Sequence, residues 1–197
     1  MIKLVDIEKI TKDLSPVSSP EYTIGKGNSL HPEGLFSEII FGSIDTSERK
    51  SKYSFIDLHC KILHPAIISV LRRMNRKIIS AIQKEQSYKI QSDGILIEDP
   101  DGEINGITSL INNFDRISLD GGSKIRDDLS KMLKSYSKKG QLFIDKMLVI
   151  PAFYRDIQFD ERDNSISVDS LNDYYVKIIR LSSHLRSLEV GGVFDVL

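Results

Sequence analysis

The sequence predicts an α+β protein, predominantly helical with short strands. Apolar residues recur at three- and four-residue steps over Ile67 to Ile82, Ile107 to Phe114, Leu129 to Tyr136 and Leu171 to Leu188, the period of helices with one apolar face. Tyr53 to Cys60 alternates as a strand, and Tyr88 to Glu98 and Met147 to Ile150 are apolar and β-leaning. Proline and glycine clusters separate these stretches.

Composition sets the outer bounds. The chain has 197 residues, 40% of them hydrophobic, so it can bury a core of one large domain or two small ones. A formal net charge of −1 argues against a surface that coats nucleic acid or anionic membrane throughout, so any DNA contact must be regional. The single cysteine, Cys60, excludes an intrachain disulfide and a cysteine-cluster zinc site and fits a reducing cytoplasm. There is no secretory core near Met1 and no apolar run of membrane length, so the expectation is a soluble, intracellular chain with no membrane contact.

Val5 to Leu14 suits a short helix, which Pro16 and Pro20 terminate. Tyr22 to Gly34 reads as an irregular loop, and its Gly25-Lys26-Gly27 lacks the glycine spacing and Lys-Ser/Thr ending of a phosphate loop. Gly34-Leu35-Phe36-Ser37-Glu38-Ile39-Ile40-Phe41-Gly42 reads as a buried apolar turn. His64-Pro65 opens a helix with Ile67, Leu71, Met74, Ile78 and Ile82 on its apolar face, while Arg72, Arg73, Arg76 and Lys77 crowd the other side. Arg72 and Arg73 are candidate phosphate contacts, although a charge run is most often a solvated face. His59 and His64 have no partners at metal-ligand spacing.

Asp99-Pro100-Asp101-Gly102-Glu103 puts three carboxylates within five residues, which invites a magnesium reading. Pro-Asp-Gly between apolar stretches is sufficient as a turn. An amphipathic helix then runs to about Asp120-Gly121-Gly122, and another follows from Ser123 with Leu129, Met132, Leu133 and Tyr136 as its stripe, ending at Gly140. These readings divide the chain into residues 1–52, an irregular N-terminal segment; 53–150, a strand–helix core; and 151–197, a Pro/Arg segment followed by a long helix.

That last helix carries the strongest pattern. Ser167 or Asp169 can cap it, and Leu171, Tyr174, Ile178, Leu181, Leu185 and Leu188 keep one apolar seam in line, suited to packing on a second helix. Lys177, Arg180 and His184 flank the seam with positive charge. An ordinary amphipathic helix with a solvated basic edge would show the same periodicity.

The residues add a resemblance. Leu148-Val149-Ile150-Pro151-Ala152-Phe153-Tyr154-Arg155, then Ser167-Val168-Asp169-Ser170-Leu171-Asn172-Asp173-Tyr174-Tyr175 and Ile178-Ile179-Arg180-Leu181, resemble the β′ subunit of multisubunit DNA-directed RNA polymerases where it enters the clamp and starts the first clamp helix. Gly34 to Gly42 and Tyr53 to Pro65 are similar to further β′ landmarks and occur in family order. The family's zinc ribbon is missing from the short interval between those two, which is similar to the divergent polymerases of large bacteriophages.

The resemblance implies a clamp segment that helps hold template DNA through Arg155, Lys177, Arg180, Arg72 and Arg73. The apolar seam with His184 would be the partner surface, and a sigma-type specificity factor, the β subunit and the catalytic part of β′ the partners. Magnesium would belong to the assembled enzyme, because the family's aspartate triad has no match here; no catalytic residue, metal ligand or cofactor is expected on this chain. The competing expectation is a non-catalytic helical DNA-binding or transcription-regulating adaptor.

Overall fold

The computed structural model describes residues 4–24, 29–42, 52–119, 121–155, 157–160, 162 and 165–190. Helices and strands are mixed, as an α+β class requires. The Gly25-Lys26-Gly27 stretch, most of the interval after the Gly34–Gly42 landmark and the Gly191-Gly192 pair lie outside the described residues.

The chain divides into two compact units: one comprises the N-terminal residues through Val5 and Lys61–Ile144, the other Asp6–Cys60 and Asp145–Leu197. The expected division into three consecutive segments is therefore corrected. Residues from both ends of the chain share one unit, and strand pairing brings them there. β1 (Ser54–Leu63) pairs with β4 (Phe143–Val149), partners some 80 residues apart in sequence that no local pattern could link.

The unit containing 61–144 is built on helices. His64 caps α3 (Pro65–Met74), its Nδ1 accepting from the Ala66 amide at 3.2 Å, with proline at the first helical position. The single helix expected through Ile82 is two helices. Asn75, with extended backbone, closes α3 by donating its N–H to Leu71 and opens α4 (Arg76–Ile82) by accepting from the Lys77 amide at 3.1 Å. Ile67, Leu71, Met74 and Ile78 face the core as expected, whereas Ile82 is only half-buried.

β2 (Tyr88–Ile90) and β3 (Leu96–Glu98) form a hairpin, and Tyr88 also bridges to Ile104. Gly94, at φ +83°, makes the hairpin turn in a region that disfavours side chains. α5 (Gly106–Asn113) passes into a 3-10 turn at Phe114–Arg116, and α6 (Lys124–Lys138) starts at Ser123, whose hydroxyl accepts from the Arg126 amide. The Arg126 side chain ties the helix down by donating to the carbonyls of Leu119 (2.9 Å) and Met74 (2.5 Å). Leu71, Ile78, Leu96, Ile104, Leu110, Phe114 and Leu133 form the core.

The other unit holds α1 (Ile7–Thr11), α2 (Glu38–Phe41), the hairpin of β5 (Ile157–Asp160) and β6 (Ser165–Val168), and α7 (Ser170–Val190). Leu35, Phe36 and Phe41 of the Gly34–Gly42 landmark are buried with Val17, Ile56, Val149, Tyr175 and Ile179, so the expected apolar turn is also a core element. Asp169 opens α7, its carboxylate accepting from the Leu171 amide at 2.8 Å. Ser167 sits in β6 instead. No helix among the described residues is long and apolar enough to cross a membrane.

Candidate functional site

β4 ends at Val149, and Pro151, unable to donate to a ladder, turns the chain into a 3-10 turn over Ala152–Tyr154. That turn delivers Arg155 to the interior, where it is 1% exposed. Its Nε donates to the Ile150 carbonyl at 3.0 Å, one terminal nitrogen to Asn172 Oδ1 at 2.5 Å and the other to the Leu35 carbonyl at 2.7 Å. The guanidinium lies 5.2, 5.1 and 5.6 Å from the ring centres of Phe36, Phe41 and Tyr175.

A buried cation survives only where its donors are matched, and the aromatic faces supply further favourable electrostatics. Burial lowers the Arg155 pKa to about 10, with Tyr175, Tyr22 and Asp169 opposing the shift, so the side chain is still a cation at neutral pH. The expectation that Arg155 contacts DNA is corrected: its donors are used inside the fold and its charge is covered.

α7 also carries a row that the sequence pattern did not single out. The stripe that faces the unit's core is Asn172, Tyr175, Ile179 and Ser182, all buried, and the Ser182 hydroxyl donates to the Asp57 carbonyl. The row chosen as the seam lies on the neighbouring face. Tyr174 and Leu181 are 63% and 66% exposed, and Leu171, Ile178, Leu185 and Leu188 are half-buried. α7 thus has two apolar rows: one is folded against its own unit, and the other packs on that core through Leu171 and Ile178 and reaches solvent at Tyr174 and Leu181. Two polar residues in the inward row hid it from a reading of hydrophobic period.

The basic edge does flank the outward row. Lys177, Arg180 and His184 are exposed, and Lys177 Nζ stands 5.6 Å from the ring centre of Tyr174. Among the described residues the Arg180 side chain has no hydrogen bond or ion pair, though its charge opposes the raised pKa of Tyr22, which burial and then Asp173 push up. Two further exposed aromatics escaped the sequence reading. Phe153 and Tyr154, on the 3-10 turn beside Arg155, stack edge to face with centroids 5.2 Å apart. Adjacent aromatics two residues after a proline were the available signal.

Arg72 and Arg73 are exposed in the last turn of α3, in the other unit from Lys177 and Arg180. Lys77, from the same charge run, does not join them: its Nζ donates to the Leu96 carbonyl at 2.7 Å. The acidic stretch at Asp99 is a turn, as expected. Asp99 accepts from the Asp101 amide through its carboxylate at 3.0 Å and from the Gly102 amide through its carbonyl at 2.9 Å, and Glu103 pairs with Arg116 at 3.3 Å.

No model of a known protein family matches the chain, and no curated protein matches it.

Proposed function

We propose that the chain is the N-terminal clamp segment of a β′-type subunit of a multisubunit DNA-directed RNA polymerase, of the divergent large-bacteriophage kind. It helps hold template DNA and docks a specificity factor while other parts of the enzyme carry out magnesium-dependent nucleotidyl transfer. The observation that carries this reading is the apolar row of α7 that reaches solvent at Tyr174 and Leu181, continues through half-buried Leu185 and Leu188, and is bordered by Lys177, Arg180 and His184. A helix whose second apolar row meets solvent beside positive charge suits a partner helix and a polyanion together.

The Arg155 cluster supports the same reading. The segments that carry the β′ resemblance, Gly34 to Gly42, Leu148 to Arg155 and the start of α7, meet at one guanidinium. As a polymerase subunit the chain would work in the cytoplasm of an infected cell or in the phage particle. Its partners would be the β subunit, the catalytic part of β′, a sigma-type factor and DNA. The test is mass spectrometry of the natively purified complex. Co-purification with chains bearing the polymerase catalytic motif supports the assignment. Purification as a lone polypeptide that binds DNA in a salt-dependent way overturns it in favour of a stand-alone adaptor.

A further inference from the structure

The unit of residues 61–144 carries an apolar groove of about 340 Å³ that the polymerase reading does not use. Ala66 and Val70 of α3 form one side, and Ile125, Leu129 and Met132 of α6 the other. Ile125 is 74% exposed, Ala66 is exposed, and Val70, Leu129 and Met132 are half-buried. An aliphatic side chain at a helix start, left in solvent beside three others, forms a patch that water solvates poorly. Methionine at its floor suits it to side chains of varied shape.

We propose that this groove docks an amphipathic helix of a partner protein, one that flanks its apolar side chains with carboxylates. The argument for that occupant is charge. α3 and α6 carry seven basic residues against two acidic ones, in a chain whose formal net charge is −1. Arg126 is engaged internally, but three of the others border the groove by position. Arg73 continues the Ala66–Val70 stripe of α3 at steps of four and three. Lys124 and Lys131 share the stripe of Asp128, a groove residue, at steps of four and three on either side of it.

Arg73, Lys124 and Lys131 are exposed, and among the described residues none has an ion pair or side-chain hydrogen bond. Asp128 is the one acidic group in the groove lining, and two lysines flank it along its own stripe. The rim therefore attracts an acidic segment and repels a basic one, while the apolar floor supplies the contact area. A helix laid in such a groove presents side chains at steps of three and four, matching the rows that line it.

The experiment uses the full chain and two labelled synthetic helices with the same leucine stripe, one flanked by glutamate and one by lysine, followed by fluorescence anisotropy. The glutamate helix should bind, more weakly as salt rises, and the lysine helix should bind at least about tenfold more weakly. Val70→Asp should abolish binding. The double variant Lys124→Glu, Lys131→Glu, at exposed positions that leave the fold intact by circular dichroism, should reverse the preference. Equal affinity for the two helices, or no binding of either, overturns the proposal. Retention of the chain on phosphatidylglycerol vesicles without peptide binding overturns it too and assigns the groove to a membrane surface.

Discussion

Arg155 donates to the side-chain oxygen of Asn172 at 2.5 Å, joining the segment that leaves β4 to the first turn of α7 across 17 positions of sequence. The same guanidinium also reaches the Leu35 carbonyl, 120 positions away. Removing it strands the acceptors of three separate segments in a water-excluded site. Arg155→Ala should lower unfolding stability by about 3–5 kcal/mol, the range for breaking a buried charged network. Arg155→Lys should recover little of it, since an ammonium cannot reproduce the planar fork. Urea denaturation checks both. A loss below about 1 kcal/mol together with weakened DNA binding would return Arg155 to the nucleic-acid interface.

The two rows of α7 should respond oppositely to substitution. Ile179→Ala creates a cavity in the unit's core and should cost about 2–4 kcal/mol. Leu181→Asp, on the outward row, should change the stability of the isolated chain by no more than about 0.5 kcal/mol and weaken assembly with its partners. Comparing melting curves with native gel assembly separates the two effects. Leu181→Asp that unfolds the isolated chain would mean the outward row is covered by the chain itself.

For the basic edge, Lys177→Ala and Arg180→Ala should leave folding unchanged and weaken DNA binding across sequences. Each should reduce the slope of log affinity against log salt by about one if the residue meets a phosphate. Affinities that match the parent at low and moderate salt would make Lys177 and Arg180 a solvated face only.

His64 gives the chain an acid-sensitive cap. Its Nδ1 accepts from the Ala66 amide, which only a neutral ring can do, and burial lowers its pKa below the usual histidine value. A lowered folded-state pKa means the folded chain favours the neutral form. The contribution is therefore complete above the unfolded histidine value, near 6.5, and lost as pH falls through the lower folded-state value. His64→Asn keeps an acceptor without the titration, so it should flatten that acid limb of the stability profile, where a helix cap is worth about 1 kcal/mol. A parent and variant that lose stability in parallel below pH 6.5 would exclude this role for the ring.

At the acidic turn, Asp99→Asn with Asp101→Asn keeps the oxygen that holds the Asp101 amide and should fold and function like the parent. Gly102→Ala should destabilise the hairpin, because a Cβ there would overlap the Tyr88 carbonyl. Denaturation midpoints measure the difference, and a collapse of transcription in the Asn pair with the fold intact would reveal a metal site.

What could be read in advance follows the range of each interaction. The Asp99–Gly102 turn was legible because Pro-Asp-Gly states its chemistry within four residues. The helix start at His64 was legible for the same reason, and so was the α7 cap to within two candidates, Ser167 and Asp169, of which Asp169 is the cap. The break at Asn75 was not, since an asparagine between two apolar periods carries no proline or glycine to mark it. The row Leu171 to Leu188 was visible as apolar, but periodicity cannot say which of two rows faces the chain's own core, and the inward one includes Asn172 and Ser182. Arg155 read as a DNA contact because the β′ resemblance implied one there. Only the convergence of Leu35, Ile150 and Asn172, each distant or silent in sequence, shows why it is inside.

That Lys61–Ile144 interrupts the sequence of the other unit has a consequence for synthesis on the ribosome. Once Ile144 has emerged, every residue of the unit containing Lys61–Ile144 has been made, and that unit can close while translation continues. The outer unit must wait for α7, since Tyr175 and Ile179 complete its core and Asn172 takes up one arm of Arg155. During that interval Leu35, Phe36 and Phe41 lack Tyr175 and Ile179, leaving the Gly34–Gly42 landmark a stretch of the nascent chain open to chaperone capture.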